Sequence, residues 1–294
     1  MSDERRIAII FNPTANSEKA AQVLNQLSRI VNRRATIFET QSIGDALPLT
    51  LEAIRSGYST IVAAGGDGTL NEVINGIPFS MLERGAIQVG VLPLGTMNVF
   101  AHEIRIPARL DEAWSIILQN KIRHIDLPRL DHRRFIQLAG IGFDAQVVQL
   151  TTWESKRQLG PLSYILSAAQ ALSRPTPRFV ITADGVGSIE ATLALVGNGK
   201  HYGGPFKVFP EADHTDGLLD VCVFTQMSAF DALRYLQAVI MGTHTRLHDV
   251  HYFKTQSVVV TSSHRIPTEV DGELLGSTPC TISLDHIRLP VLVP

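Results

Sequence analysis

The segment from Ser59 to Gly76, STIVAAGGDGTLNEVING, gathers residue types suited to phosphate chemistry. An apolar run without alternation, IVAA, ends in Gly65, Gly66, Asp67 and Gly68, and a helical pattern opens near Thr69. Glycines at the carboxyl end of a buried strand let the backbone approach a ligand, and the helix start offers unpaired N–H groups and a positive dipole end to an anion. A carboxylate among phosphate-directed amides makes chemical sense when Mg²⁺ stands between Asp67 and the phosphates, because Mg²⁺ prefers oxygen ligands. The plainer reading is a tight strand-to-helix turn capped by Asp67. The next run, IQVGVL, leads to Pro93, and Gly95 and Thr96 then open a second helix containing Asn98. The first run, RIAIIF, is followed by Asn12 and Pro13, with Asn16 and Ser17 suited to turn and cap positions, and Thr40 closes the run ATIFET. Each is an ordinary turn by itself; their common place at strand ends points to one shared cleft.

These residues need a frame, and the first 105 residues supply four strand–helix units. Strand runs without alternation imply burial on both faces, and crossover helices imply a parallel sheet. In the third helix Leu70, Val73, Ile74 and Ile77 form one apolar stripe, and Gly76 and Pro78 stop it. After DEAWSIILQN the pattern becomes that of antiparallel strands, interrupted by helical stretches at about 144–173 and 229–241. The expected fold is therefore an α/β domain over 1–127 and a mainly antiparallel, β-sandwich-like domain over 128–294.

The chain has 294 residues, 45% hydrophobic and 18% charged, enough for two cores and unlike a disordered or fibrous sequence. No apolar run is long enough to span a bilayer, and the amino terminus, MSDERRIAIIFNP, lacks the pattern of a signal peptide, so a cytoplasmic protein is expected. A formal net charge of -2 gives no support to nucleic-acid binding, although the stretch from Arg105 to Arg178 holds 11 basic against 6 acidic residues. Cys222 and Cys280 lack metal spacing and read as buried, reduced thiols. GIGFDA, from Gly140 to Ala145, imitates a dinucleotide fingerprint but lacks the acidic partner about 20 residues on, and no GxxxxGK followed by Ser or Thr exists.

With GGDGTLNEVING and LPLGTMNVFAHEI, followed in order by HIDLPRL, FIQLAGIGFDAQV, KRQLGPLSYIL, LVGNGKHYGGPFKVFPEADHTDGLLDVCVF and EVDGEL, nearly the whole chain resembles the diacylglycerol kinase catalytic family, in its bacterial soluble branch. GGDGT alone is shared with NAD kinases and loosely with phosphofructokinases. The resemblance implies a parallel-sheet nucleotide domain followed by a sandwich-like domain that carries the catalytic base, with ATP bound between them. It implies nucleotide contacts at Asn12, Thr40, Gly65, Gly66, Asp67, Gly68, Thr69, Leu70, Asn71 and Thr96. It makes Glu273 the catalytic base, where the residues alone read as a turn, and gives Asp67 a catalytic role as the holder of Mg²⁺. It makes DHTDGLL a structural Mg²⁺ loop ligated by Asp213, Asp216 and the carbonyl of Leu218. The implied substrate is a lipid such as diacylglycerol at a membrane surface, reached by peripheral and transient contact. Exposed strands of the second domain would allow two copies to pair.

The family usually reads GTxND, and here the aspartate position is Val99. Two alternatives follow: a nucleotide- or lipid-binding protein of the same fold without catalysis, and a soluble-substrate kinase of the NAD kinase kind.

Overall fold

The computed structural model describes residues 5–16, 20–151, 162–204 and 206–294. The chain separates into two units, Met1–Leu127 with Asp285–Pro294, and Pro128–Leu284.

In the first unit the uninterrupted apolar runs become strands buried on both faces: β1 (Ile7–Phe11), β3 (Thr60–Gly65) and β4 (Gln88–Pro93), with β2 (Ala35–Glu39) half-buried at the edge. The four are parallel in the order β2-β1-β3-β4, which puts all their carboxyl ends on one side. Helices α1 (Ala20–Val31), α2 (Ala46–Arg55) and α3 (Asp67–Gly76) make the crossovers. The expected stripe of α3 is buried at Leu70, Val73 and Ile74, with Ile77 just beyond it. Further along come α4 (Phe79–Glu83), α5 (Val99–Glu103), α6 (Leu110–Gln119) and strand β5 (Ile122–Ile125). The sheet closes with the C-terminal strand Leu289–Leu292, parallel to β4 and antiparallel to β5. Residues 285–294, read from sequence with the second domain, thus pair in the first unit's sheet. The run LPVL is buried throughout, as a strand inserted between two others must be.

The second unit contains β6 (Pro128–Leu130), β7 (Arg133–Arg134), β8 (Leu138–Gly142), β9 (Phe179–Ala183), β10 (Gly187–Ala191), β11 (Leu193–Gly197), β12 (His201–Tyr202), β13 (Phe206–Lys207), β14 (Leu219–Phe224), β15 (Val250–Thr255), β16 (Ser257–Thr261), β17 (Pro267–Val270), β18 (Glu273–Ser277) and β19 (Cys280–Leu284). They form two six-stranded antiparallel sheets, β10-β9-β16-β19-β6-β7 and β15-β14-β11-β8-β17-β18. Two runs that read as single strands each cross between the sheets: IEATLALVGN breaks at Thr192, and VHYFKTQSVVV breaks at Gln256. Between the sheets lie Ala139, Ile141, Ala194, Val196, Val221, Val223, Val258, Val260 and Ile282. Their alternate neighbours Leu138, Leu195, Cys222 and Phe224 face outward under helix Ala229–Met241 and its Tyr235. This explains why β14 is apolar at nearly every position. The helical stretch at 144–173 is two helices, α7 (Phe143–Leu150) and Leu162–Leu172; residues 152–161 lie outside those described, as does Ser17. Both cysteines are buried and free. Burial pushes the Cys280 thiol up to about 12, with the charge of Asp131 adding to it.

Candidate active site

The strand ends of the first unit meet as the sequence suggested, and they meet through glycine. A Cβ on Gly95 would stand 2.5 Å from the Cα of Gly66, and one on Gly65 would stand 2.3 Å from Oγ1 of Thr69. A side chain at Gly95 would push the two turns apart, and one at Gly65 would displace Thr69 within its own turn. Gly65 O accepts the N–H of Leu94 at 2.9 Å, tying the turn after β3 to the turn after β4. Asn12 joins the first loop to them: its N–H donates to Ala64 O at 2.9 Å and its Nδ2 to Thr69 Oγ1 at 3.0 Å. Oδ1 of Asn12 accepts the N–H and hydroxyl of Thr14, closing an Asx turn. Thr40 is buried and donates its N–H to Phe11 O.

Asp67 opens α3, and its carboxylate points to the start of a different helix. Oδ2 accepts the N–H of Val99 at 3.0 Å and Oδ1 that of Phe100 at 3.3 Å. Burial raises the Asp67 carboxyl above the ordinary range, and these amides work against that rise. Each oxygen keeps a lone pair, so the carboxylate fits a hard divalent cation.

Several expected contacts take a different form. Leu70 is a core side chain, the side chains of Thr69 and Asn71 are also buried, and the Leu70 N–H donates to Gly66 O, so a ligand can meet this turn only through the backbone N–H groups that precede Leu70. Thr96 is exposed. The second helix starts at Val99, not at Gly95, because Asn98 adopts φ 46° and its side chain bridges the N–H and C=O of Gly95. Sequence reading also missed Glu72, whose carboxylate accepts the N–H groups of Gly44 and Ala46 and so caps α2.

In the second unit Asp213, Asp216 and Leu218 do share one loop. Asp213 Oδ1 accepts the N–H and hydroxyl of Thr215, and Asp216 Oδ1 accepts the N–H of Leu218. Lys254 enters this loop: its Nζ lies 2.7 Å from Asp216 Oδ2, 3.6 Å from buried Asp220 and 2.7 Å from Glu211 O. Although burial works against it, these carboxylates hold the Lys254 ammonium above its ordinary range. The loop already contains a cation, and among the described residues no group of three acidic, His or Cys side chains could hold a metal. The set expected from the resemblance is of another kind, the two carboxylates of Asp213 and Asp216 with the carbonyl of Leu218, and in this structure Lys254 supplies the positive charge at Asp216.

Glu273 begins β18, half-exposed, with Oε2 3.9 Å from Arg133 Nη2. It follows the turn at Asp271 and Gly272, whose φ values are 49° and 83°. The Asp271 carboxylate accepts the N–H groups of Ile136, Gln137 and Leu138, which fastens the turn to the chain entering β8. Nearby stands a pair that sequence reading did not single out, Asp144 and Glu269, both buried. The one available signal was GIGFDA itself, since a Cβ on Gly140 would stand 2.0 Å from Asp144 Oδ2 and 2.6 Å from Glu269 Oε1.

A parallel sheet with interlocked glycine turns, joined in one chain to an antiparallel sandwich, defines a nucleotide-type phosphotransferase architecture. Residues 6–130 match the family model of the diacylglycerol kinase catalytic domain, and residues 138–293 that of the YegS C-terminal NAD kinase beta sandwich-like domain. The chain is 30% identical over 292 residues to a diacylglycerol kinase of Staphylococcus epidermidis, covering 97% of this chain and 92% of that one. A diacylglycerol kinase of Staphylococcus saprophyticus is 29% identical over 280 residues, covering 94% and 91%. A crystal structure of a diacylglycerol kinase from Bacillus anthracis shares the fold at 24% identity, with a TM-score of 0.79 over 100% of this chain and 98% of that one. The chain belongs to the diacylglycerol kinase family and is a lipid kinase.

Proposed function

We propose that this kinase transfers the γ-phosphate of ATP to a hydroxyl of diacylglycerol or a closely related membrane lipid, with Mg²⁺ as its ion. The observation that carries the reading is the close approach of Gly66 and Gly95 beside Asp67. It leaves two backbone turns and one carboxylate where phosphates and their metal are handled in open α/β sheets. Within the stretch Gly65 to Asn71 the N–H groups of the first turn of α3, ahead of Leu70, supply the donors, Asn12 fixes the first loop against them, and Asp67 would hold Mg²⁺. When bound, the ion neutralises charge on the phosphates. Glu273 accepts the proton of the lipid hydroxyl, which phosphoryl transfer to an alcohol requires. Replacing it by Glu273→Gln should abolish transfer and spare ATP binding; a fully active variant would remove Glu273 from the role.

Among the described residues no helix is long and apolar enough to cross a membrane. The lipid is read as reached by peripheral contact from the cytoplasm. Helix Ala229–Met241 supports that reading: Phe230, Leu233, Leu236, Ile240 and Met241 are exposed on it, with exposed Lys207 on the neighbouring β13 and Arg246 beyond its end. A Leu233→Glu, Ile240→Glu double variant should lose binding to anionic vesicles. Loss of a dimer with vesicle binding intact would instead assign this face to pairing of two copies.

A further inference from the structure

Glu269 of β17 lies in register with Gly140 of β8, and the missing Cβ leaves room for two carboxyl groups. Two of the four oxygens in the pair are placed by known partners. Asp144 Oδ1 accepts the phenol O–H of Tyr202, and Glu269 Oε2 accepts the N–H of Gly272 at 2.7 Å. That leaves Asp144 Oδ2 and Glu269 Oε1, both buried and with no other partner, facing each other in the space beside Gly140. Two bare carboxylates in that position repel each other across a poorly solvated interior, whereas one proton between them makes a charge-assisted hydrogen bond.

We propose that Asp144 and Glu269 hold one proton between them at neutral pH, and that Glu269, through Gly272, is a positioning residue for Glu273. The inference rests on the reading of Glu273 as the base. Gly272 is the residue immediately before Glu273, and its N–H is fixed from inside the unit by Glu269, while Asp271 fixes the same turn from the β8 side. Burial first, and the neighbouring Asp144 charge second, raise the Glu269 carboxyl well above its ordinary range; burial raises Asp144 as well. Among the described residues, the groups facing the pair are Tyr202 from β12 and Asp271 at the turn, with Gly140 on β8. Among the described residues neither carboxyl has a salt bridge to a cation. Because the folded protein holds this proton more tightly than the unfolded chain, the stabilisation is complete below the ordinary carboxylate range and is lost as pH rises through the raised value.

Glu269→Gln supplies an amide oxygen for Gly272 and an amide N–H for Asp144, copying the singly protonated pair without a shared proton to lose at alkaline pH. Its kcat for lipid phosphorylation should stay within about twofold of wild type at pH 7 and should not fall at the alkaline pH where wild type falls. Glu269→Ala should lose about tenfold or more in kcat with KM for ATP changed by less than about twofold. Asp144→Asn, which can donate to Glu269, should behave like Glu269→Gln and serves if the alanine variant does not fold. Two readouts are independent of catalysis: an infrared band of a protonated carboxyl at pH 7 that is absent from Glu269→Gln, and faster amide exchange at Gly272 in Glu269→Ala. They test the pair even if Glu273→Gln proves active and the base reading fails. No acid band at pH 7, an undiminished kcat in Glu269→Ala, or an unchanged alkaline fall in Glu269→Gln would overturn the proposal.

Discussion

Oδ2 of Asp67 accepts the backbone N–H of Val99 at 3.0 Å. Val99 occupies the position to which the resemblance assigns an aspartate, and here it is the backbone of that position that meets Asp67. Asp67 begins α3 and holds the first turn of α5, so one carboxylate fixes the geometry of two strand-end turns. Its remaining lone pairs are what a divalent cation would use.

Val99→Asp tests whether the side chain matters beyond that bond. A second carboxylate beside buried Asp67 adds like-charge repulsion, so turnover should change by less than about threefold. A gain of tenfold or more in kcat would show instead that this chain lacks a carboxylate its chemistry needs.

Gly95→Ala places a methyl group 2.5 Å from the Cα of Gly66. Backbone on both sides cannot yield as a flexible side chain would, and overpacking of this kind costs about 1–3 kcal/mol. The turns separate, and KM for ATP should rise about tenfold or more while the thermal midpoint falls by only a few degrees. Unchanged KM would mean that the approach of these turns is not the nucleotide site.

Asp67 must be ionised to hold a cation, and burial raises its carboxyl above the ordinary range. The acid limb of kcat/KM should therefore lie above the usual carboxylate range, with activity lost as pH falls through the raised value. Asp67→Asn should bring activity close to background at every pH. An acid limb that persists in a still-active Asp67→Asn enzyme would assign it to another group.

Lys254 neutralises Asp216 and the buried Asp220. Lys254→Met leaves Asp220 without its cation and should lower Tm by several degrees, as removal of one member of a buried pair does. Chelation of divalent ions should leave the wild-type Tm unchanged. A large fall on chelation would assign a metal to the Asp213–Leu218 loop.

The parallel sheet was legible because IAIIF, TIVAAG and QVGVLP are apolar at consecutive positions, which only doubly covered strands tolerate. The glycine turns were legible for the same local reason. What escaped depends on distant pairing. LPVL reads as one more strand of the second domain, and nothing local says that it inserts beside β4. Leu70 and Asn71 fall within the phosphate-type turn, but helix phase turns their side chains into the core. Asp144 and Glu269 are 125 residues apart in sequence, and Lys254 is 38 residues from Asp216, so neither partnership leaves a spacing to read. The reading of Glu273 as the base rests on resemblance alone, since an Asp-Gly turn followed by Glu is common at hairpins.

The most direct test of the central claim is transfer of labelled γ-phosphate from ATP, with Mg²⁺, to diacylglycerol, monoacylglycerol, ceramide and sphingosine in mixed micelles, with NAD as the soluble control. The account predicts a labelled phospholipid from diacylglycerol or a close relative, and no labelled NAD. ATP binding without transfer to any lipid, or transfer to NAD alone, would contradict it.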